Sequence, residues 1–118
     1  MRSVVLIAIF LFCAGPALAE SLCAEPAMPM PVDGAALTAD QMRAAMADAR
    51  GFIAQSGLYQ ECLLKEVEAT KAQDAAAGQP FEPMIETSAH LKVDASKKAQ
   101  EKVSAAANSA MSAYKNHP

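Results

Sequence analysis

Three residues with nucleophilic or acid–base side chains, Ser56, Tyr59 and Cys62, recur at intervals of three in the middle of the chain. In a helix this spacing places successive members on neighbouring turns. A nucleophile also needs an adjacent base to activate it, and no basic residue is placed to do so. The two histidines, His90 and His117, are far away in sequence. The sequence therefore predicts no catalytic residues and a protein that is not an enzyme.

The segment Met28-Pro29-Met30-Pro31 offers two thioethers, which are ligands that Cu(I) accepts. Soft-metal sites need more ligands than this. Two cysteines and two distant histidines also lack the spacing of a zinc site. We expect His90 to be an exposed helix residue and His117 to belong to a solvated tail. The sequence favours packing by the methionines and predicts no metal or cofactor.

Residues 1–19 have the pattern of a secretory signal peptide. Arg2 precedes an apolar run from Val4 to Phe12, and Ala17-Leu18-Ala19 supplies the small residues of a cleavage site. The run is about ten residues long, whereas a spanning helix needs about twenty. An uncleaved membrane anchor is the alternative. We expect cleavage after Ala19, a periplasmic or secreted protein, and no stable membrane span thereafter.

Cleavage would remove Cys13 and leave Cys23 and Cys62. An even pair in an oxidising compartment predicts one disulfide. A bridge between two chains is the alternative that remains open.

Length and composition restrict the fold to one small domain. The chain has 118 residues, of which 53% are hydrophobic but only 5% aromatic, and we count 27 alanines. Such a chain forms helices readily but builds only a thin core. With 10 basic and 13 acidic residues, it is not expected to bind nucleic acid.

Residues 20–37 contain three prolines and predict an extended N-terminal segment, which we call the strap. Thr38 and Gln41 have the spacing of a capping box at a helix start. The sequence predicts a first helix over about 39–77 and a turn over 78–83, at Gly78 and Pro80. The predicted buried stripe of this helix is Met42, Met46, Ala49, Phe52, Ile53, Tyr59, Leu63 and Val67.

A second helix is predicted over about 84–114, and no segment alternates with the period of a strand. The fold class predicted for 38–118 is therefore all-α, an antiparallel two-helix hairpin. Its mostly small buried stripe is predicted as Leu91, Ala95, Ala99, Val103, Ala106, Ala110 and Tyr114.

The predicted lengths allow the strap to return along the first helix. Cys62 lies roughly 36 Å along the helix from Thr38, and an extended strap from Cys23 spans about 46 Å. We expect the strap to turn at Asp33-Gly34 and to cover the face formed by Ala44, Ala47, Gly51, Gln55 and Leu58. Since two alanine-rich helices bury little area, we also expect a homodimer or a partner protein of the cell envelope.

The order of residues in the mature chain resembles that of small secreted proteins of proteobacteria. The shared pattern is C…P…P-D-G…M…Y-x-x-C-L…Y-K, here interrupted by Val32 between Pro31 and Asp33. This resemblance implies the disulfide and the hairpin, and it assigns no activity. Our first expectation for function is therefore a non-catalytic interaction or structural protein.

The segment Leu37-Thr38-Ala39-Asp40-Gln41 resembles the LTxxQ motif of Spy-like periplasmic chaperones. Those proteins are helical hairpins that dimerise and hold unfolded clients. The resemblance implies structural roles for Leu37, Thr38 and Gln41, and it gives the alternative function, that of a holdase. The chain has one such motif where that family typically carries two.

Overall fold

A computed structural model describes residues 22–118; the predicted signal peptide and the first two strap residues lie outside this range. The described chain contains a 3-10 helix at Gly34–Ala36, helix α1 at Ala39–Ala76 and helix α2 at Pro83–Asn116, with no strand. The helices pack antiparallel, and the strap precedes them. The predicted all-α hairpin with an extended, disulfide-tethered strap is confirmed.

Helix α1 begins at a capping box. Thr38 Oγ1 accepts a hydrogen bond from the Gln41 backbone N–H at 3.2 Å, and Gln41 Oε1 accepts one from the Thr38 N–H at 2.9 Å. These bonds satisfy two backbone donors that the helix itself cannot pair. The helix ends at Ala76 and is followed by Gly78 at φ 65°, a left-handed conformation that favours glycine.

Helix α2 begins with Pro83 at its first position, where the missing N–H has no intrahelical partner to lose. Glu82 caps it by accepting from the Met84 N–H at 3.2 Å. Lys71 of α1 reaches across the turn to Glu86 at 3.0 Å, and its ammonium lies 5.3 Å from the centre of the Phe81 ring. These contacts join the two helices at their connected ends.

The buried face of α1 matches most of the predicted stripe. Met46 and Ile53 are only half-buried, whereas Ser56 is fully buried and was not predicted. From Ala49 to Leu63 the buried positions alternate between spacings of three and four, which is the heptad pattern of paired helices. The buried residues are Met42, Ala49, Phe52, Ser56, Tyr59, Leu63 and Val67.

The predicted stripe of α2 is wrong in its first half. Leu91 is 66% exposed and Ala95 is exposed, while the buried face there comprises Ala89, Val93 and Ser96. The alanines of α2 recur on several faces of the helix, so their spacing alone does not identify the buried one. In the second half, Val103 and Ala110 are buried as predicted.

A polar layer crosses the middle of the helix–helix interface. Gln60 Nε2 donates to Ser96 Oγ and to Gln100 Oε1, each at 3.0 Å. Gln100 Nε2 in turn donates to the Ile53 carbonyl at 2.9 Å. Apolar clusters lie on both sides of this layer, around Phe52 and around Leu63. Such a layer favours one register of the helices, because a shifted register would leave these amides unpaired.

Candidate functional site

The strap is attached to α1 by a disulfide within one chain. Cys23 and Cys62 are bonded, with their Cα atoms 5.7 Å apart. Cys23 also packs against the apolar cluster of Tyr59, Leu63 and Val93, so this end of the strap covers both helices. The covalent bond and the packing together fix where the strap begins.

A carboxylate adjoins the disulfide. Glu66 lies one helical turn after Cys62, and its Oε1 accepts a hydrogen bond from the Leu22 N–H at 2.7 Å. Burial raises the pKa of the nearby Tyr59 hydroxyl, and the charges of Glu25 and Glu66 raise it further. The hydrogen bond from Leu22 to Glu66 therefore holds the strap backbone directly beside the disulfide of Cys23.

The other end of the strap is attached to α2 through a glycine. Gly34 is buried, and a Cβ built on it would lie 1.7 Å from the Ala110 carbonyl oxygen. A side chain at position 34 therefore cannot fit without moving the backbone. Asp33 Oδ1 accepts from the Ala35 N–H at 3.0 Å and caps the 3-10 helix at this contact.

The predicted route of the strap along one face of α1 is wrong. Leu58 is 67% exposed, and Ala47 and Gln55 are also exposed. A Cβ at Gly51 would meet nothing within 4 Å, so that glycine does not admit the strap. The strap instead begins at Cys62 of α1 and ends against Ala110 of α2, so it crosses from one helix to the other.

Between these two attachments lies an apolar groove of about 460 Å³, which we call the strap groove. Strap residues 28–32 and Leu37 form one side, and the rest is formed by six residues of α1 between positions 41 and 49 and four residues of α2 between positions 102 and 107. Met30 is 86% exposed and Met28 is 46% exposed, so the expected packing by Met30 is wrong. Asp48 and Lys102 add one charge of each sign. The methionines are presented to solvent beside an apolar surface.

A second groove, of about 640 Å³, lies at the connected ends of the helices. Leu22, Met84 and Ile85 line it, and they are 94%, 65% and 40% exposed. Glu66 and Lys92 also line it. Among the described strap residues 22–37, Leu22 alone lines this groove, whereas several strap residues line the first groove.

The residues considered for catalysis lie in structural positions. Ser56 and Tyr59 are buried in the helix–helix interface, and Cys62 is bonded to Cys23. His90 is an exposed residue of α2, as expected, with Nε2 3.8 Å from Glu86 Oε1. His117 follows the last residue of α2.

Sequence reasoning overlooked Glu66 and the polar layer of Gln60 and Gln100. Cys62 and Glu66 are four residues apart, and residues with this spacing are neighbours on a helix, so the sequence did indicate that these two side chains lie close together. The glutamines carried no such signal, because an amide in a helix is usually exposed.

No protein-family model, curated protein or solved structure matches this chain. In the part of the chain that the structure describes, neither helix has the length and apolar character needed to cross a membrane. The function is therefore argued from the grooves and the strap.

Proposed function

We propose that this protein is a non-catalytic interaction protein of the cell envelope, exported to the periplasm or beyond. Its strap groove would bind apolar side chains from a partner polypeptide. The observation that supports this proposal most directly is that Met30 is 86% exposed. It lies on a strap that is attached at both ends and borders an apolar groove. The N-terminal signal pattern and the disulfide support an oxidising, extracytoplasmic location.

Methionine suits such a contact because its flexible thioether side chain adapts to irregular apolar surfaces. The strap prolines restrict the backbone before binding, so less conformational entropy is lost on association. The groove volume falls in the range of about 300 to 1,000 Å³ that is typical of ligand sites. It is large enough for a few partner side chains, which can supply most of the affinity of an interface.

Site-specific photocrosslinking tests this proposal. A photoreactive amino acid replaces Met30 in the protein expressed in its own cells, and a matched probe replaces Ala54, an exposed residue of α1. We expect one discrete adduct from position 30 and none from position 54. The partner, identified by mass spectrometry and purified, should bind the wild-type protein directly.

The Met30→Asp variant should weaken that direct binding by tenfold or more, because it places a charge against apolar surface. Met84→Asp, at the other groove, is the matched control and should leave binding unchanged. Equal labelling from positions 30 and 54, or equal effects of the two aspartates, would contradict the proposal. Sedimentation of the purified protein identifies the case in which the partner is a second copy.

A holdase function is the second candidate. It is favoured by exposed large apolar side chains outside the strap groove, such as Leu22, Leu58 and Leu91 at 94%, 67% and 66%. The LTxxQ resemblance points the same way. A holdase would suppress aggregation of a reduced, unfolded client at near-stoichiometric ratios, and it would give many adducts from position 30. A specific interaction protein would not slow the aggregation.

A further inference from the structure

The disulfide region contains three groups that are able to bind a metal cation. Sγ of Cys23, Sγ of Cys62 and a carboxylate oxygen of Glu66 lie within 4.8 Å of one another. Neither sulfur is a thiolate while the disulfide is intact. We propose that reduction of this bond converts the cluster into a zinc site, with two thiolates and Glu66 as ligands and water in the fourth position.

The spacing of the ligand atoms suits this ion. In tetrahedral zinc sites, Zn–S is about 2.3 Å and Zn–O about 2.1 Å, which places ligand atoms about 3.6 to 3.8 Å apart. Once the bond is broken the sulfurs are free to separate, and the 4.8 Å envelope contains the required spacing. Small side-chain rotations are therefore sufficient to form the site.

The backbone holds the ligands together without the disulfide. Cys62 and Glu66 are separated by one turn of α1. Cys23 follows Leu22, whose N–H donates to Glu66 Oε1 at 2.7 Å, and this bond holds the backbone next to Cys23 beside that carboxylate. Gly34 holds the far end of the strap against Ala110. These contacts keep Cys23 near the other two groups after reduction.

Zinc also has access to the cluster. Cys23, Cys62 and Glu66 are all half-buried, so a hydrated ion can reach them and lose only part of its water. Three protein ligands with water in the fourth position is an arrangement that zinc commonly adopts.

A dithiol can reduce the Cys23–Cys62 disulfide by thiol–disulfide exchange. The dithiol gives two electrons and two protons to the disulfide, becomes a disulfide itself, and leaves two thiols at Cys23 and Cys62. When Zn²⁺ binds, both thiol protons leave to solvent and two Zn–S bonds form. The covalent tether of the strap is then replaced by a metal tether, so the strap stays attached to α1 under reducing conditions.

Cobalt titration of the purified protein tests this proposal, since Co²⁺ bound to thiolates absorbs strongly through sulfur-to-metal charge transfer. We expect the reduced protein, kept under anaerobic conditions, to bind one Co²⁺ per chain and to release it to Zn²⁺. The oxidised protein should show no such band. Zn²⁺ should also raise the unfolding temperature of the reduced protein and not that of the oxidised protein.

Glu66→Gln should weaken Co²⁺ binding by at least about tenfold, since even the loss of a group that only orients a ligand has an effect of that size. Glu61→Gln is the matched control, because Glu61 is exposed on the same turn and outside the cluster. Circular dichroism verifies that both variants are helical. Absence of a charge-transfer band in the reduced wild type, one ion per two chains, or equal effects of the two variants would overturn the proposal.

Discussion

At the residue scale, the hydroxyl of Ser56 is the least satisfied group in the described core. Ser56 is fully buried, and its Oγ has no hydrogen-bond partner within residues 22–118. A buried polar group without a partner keeps its desolvation cost. We predict that Ser56→Ala increases the free energy of unfolding by about 1 kcal/mol, because alanine removes that cost and favours the helix. Urea denaturation measures the change.

Ser96→Ala is the matched control for this prediction. The Ser96 hydroxyl lies on the facing helix and accepts from Gln60 Nε2 at 3.0 Å. Its removal should lower the free energy of unfolding by about 1 kcal/mol. If both alanine variants shifted the stability in the same direction, hydrogen bonding would not account for the difference between the two serines.

A second residue-scale prediction concerns glycine at the strap contact. Gly34→Ala should destabilise the protein by about 1 to 3 kcal/mol, because the new Cβ would overlap the Ala110 carbonyl. Gly51→Ala places a Cβ in open space within α1, and should stabilise by about 0.5 to 1 kcal/mol. Paired urea titrations test both signs, and a destabilising Gly51→Ala would show that this site needs glycine.

At the scale of the elements, the ion pair at the turn gives α1 and α2 a pH-dependent connection. Hydrogen bonding to Lys71 lowers the pKa of the Glu86 carboxyl, and the reciprocal bond raises the pKa of Lys71. A carboxyl with a lowered pKa stabilises the folded state above its unfolded pKa, near 4.5, and this contribution is lost as the pH falls further. The lysine contribution is lost only above its ordinary pKa of 10.5.

We therefore predict that Glu86→Gln lowers the unfolding temperature at pH 7 and has less effect at pH 3. The difference between wild type and variant should diminish below about pH 4.5, as Glu86 becomes protonated. Glu101→Gln, on an exposed part of α2, should cause little change at either pH. A Glu86→Gln effect of the same size at both pH values would show that charge does not stabilise the turn.

Comparison of the two helices explains which parts of the fold were predictable. In α1, Phe52, Tyr59 and Leu63 lie on one face and identify it, although Leu58 and Leu64 are exposed. In α2 the interface includes Ala89, Ser96 and Gln100, whereas the large Leu91 is exposed. Hydrophobicity alone cannot select that face, because the choice depends on hydrogen bonds to Gln60 and Ile53 across the interface.

At the scale of the whole molecule, the reach of the strap was predictable and its lateral position was not. Chain lengths limited how far Cys23 could lie from Asp33 along the hairpin. They carried no information about which side of α1 the strap follows. The contact of Gly34 with the Ala110 carbonyl decides that side, and it depends on the backbone position of a helix that is distant in sequence. The strap groove follows from this contact, so the sequence did not indicate it.

The stability of the molecule as a whole should depend on the strap tether. We predict that the double variant Cys23→Ala, Cys62→Ala lowers the free energy of unfolding by roughly 4 kcal/mol, because the bond closes a loop of 39 residues and restricts the unfolded chain. Hydrogen exchange should accelerate in residues 22–37 and remain slow in the centres of α1 and α2, since non-covalent contacts such as those of Leu22 and Gly34 attach the strap less tightly than the disulfide does. Unchanged exchange in the strap would contradict its dependence on the bond. Equal acceleration throughout both helices would instead mean that the hairpin has no stable fold without its strap.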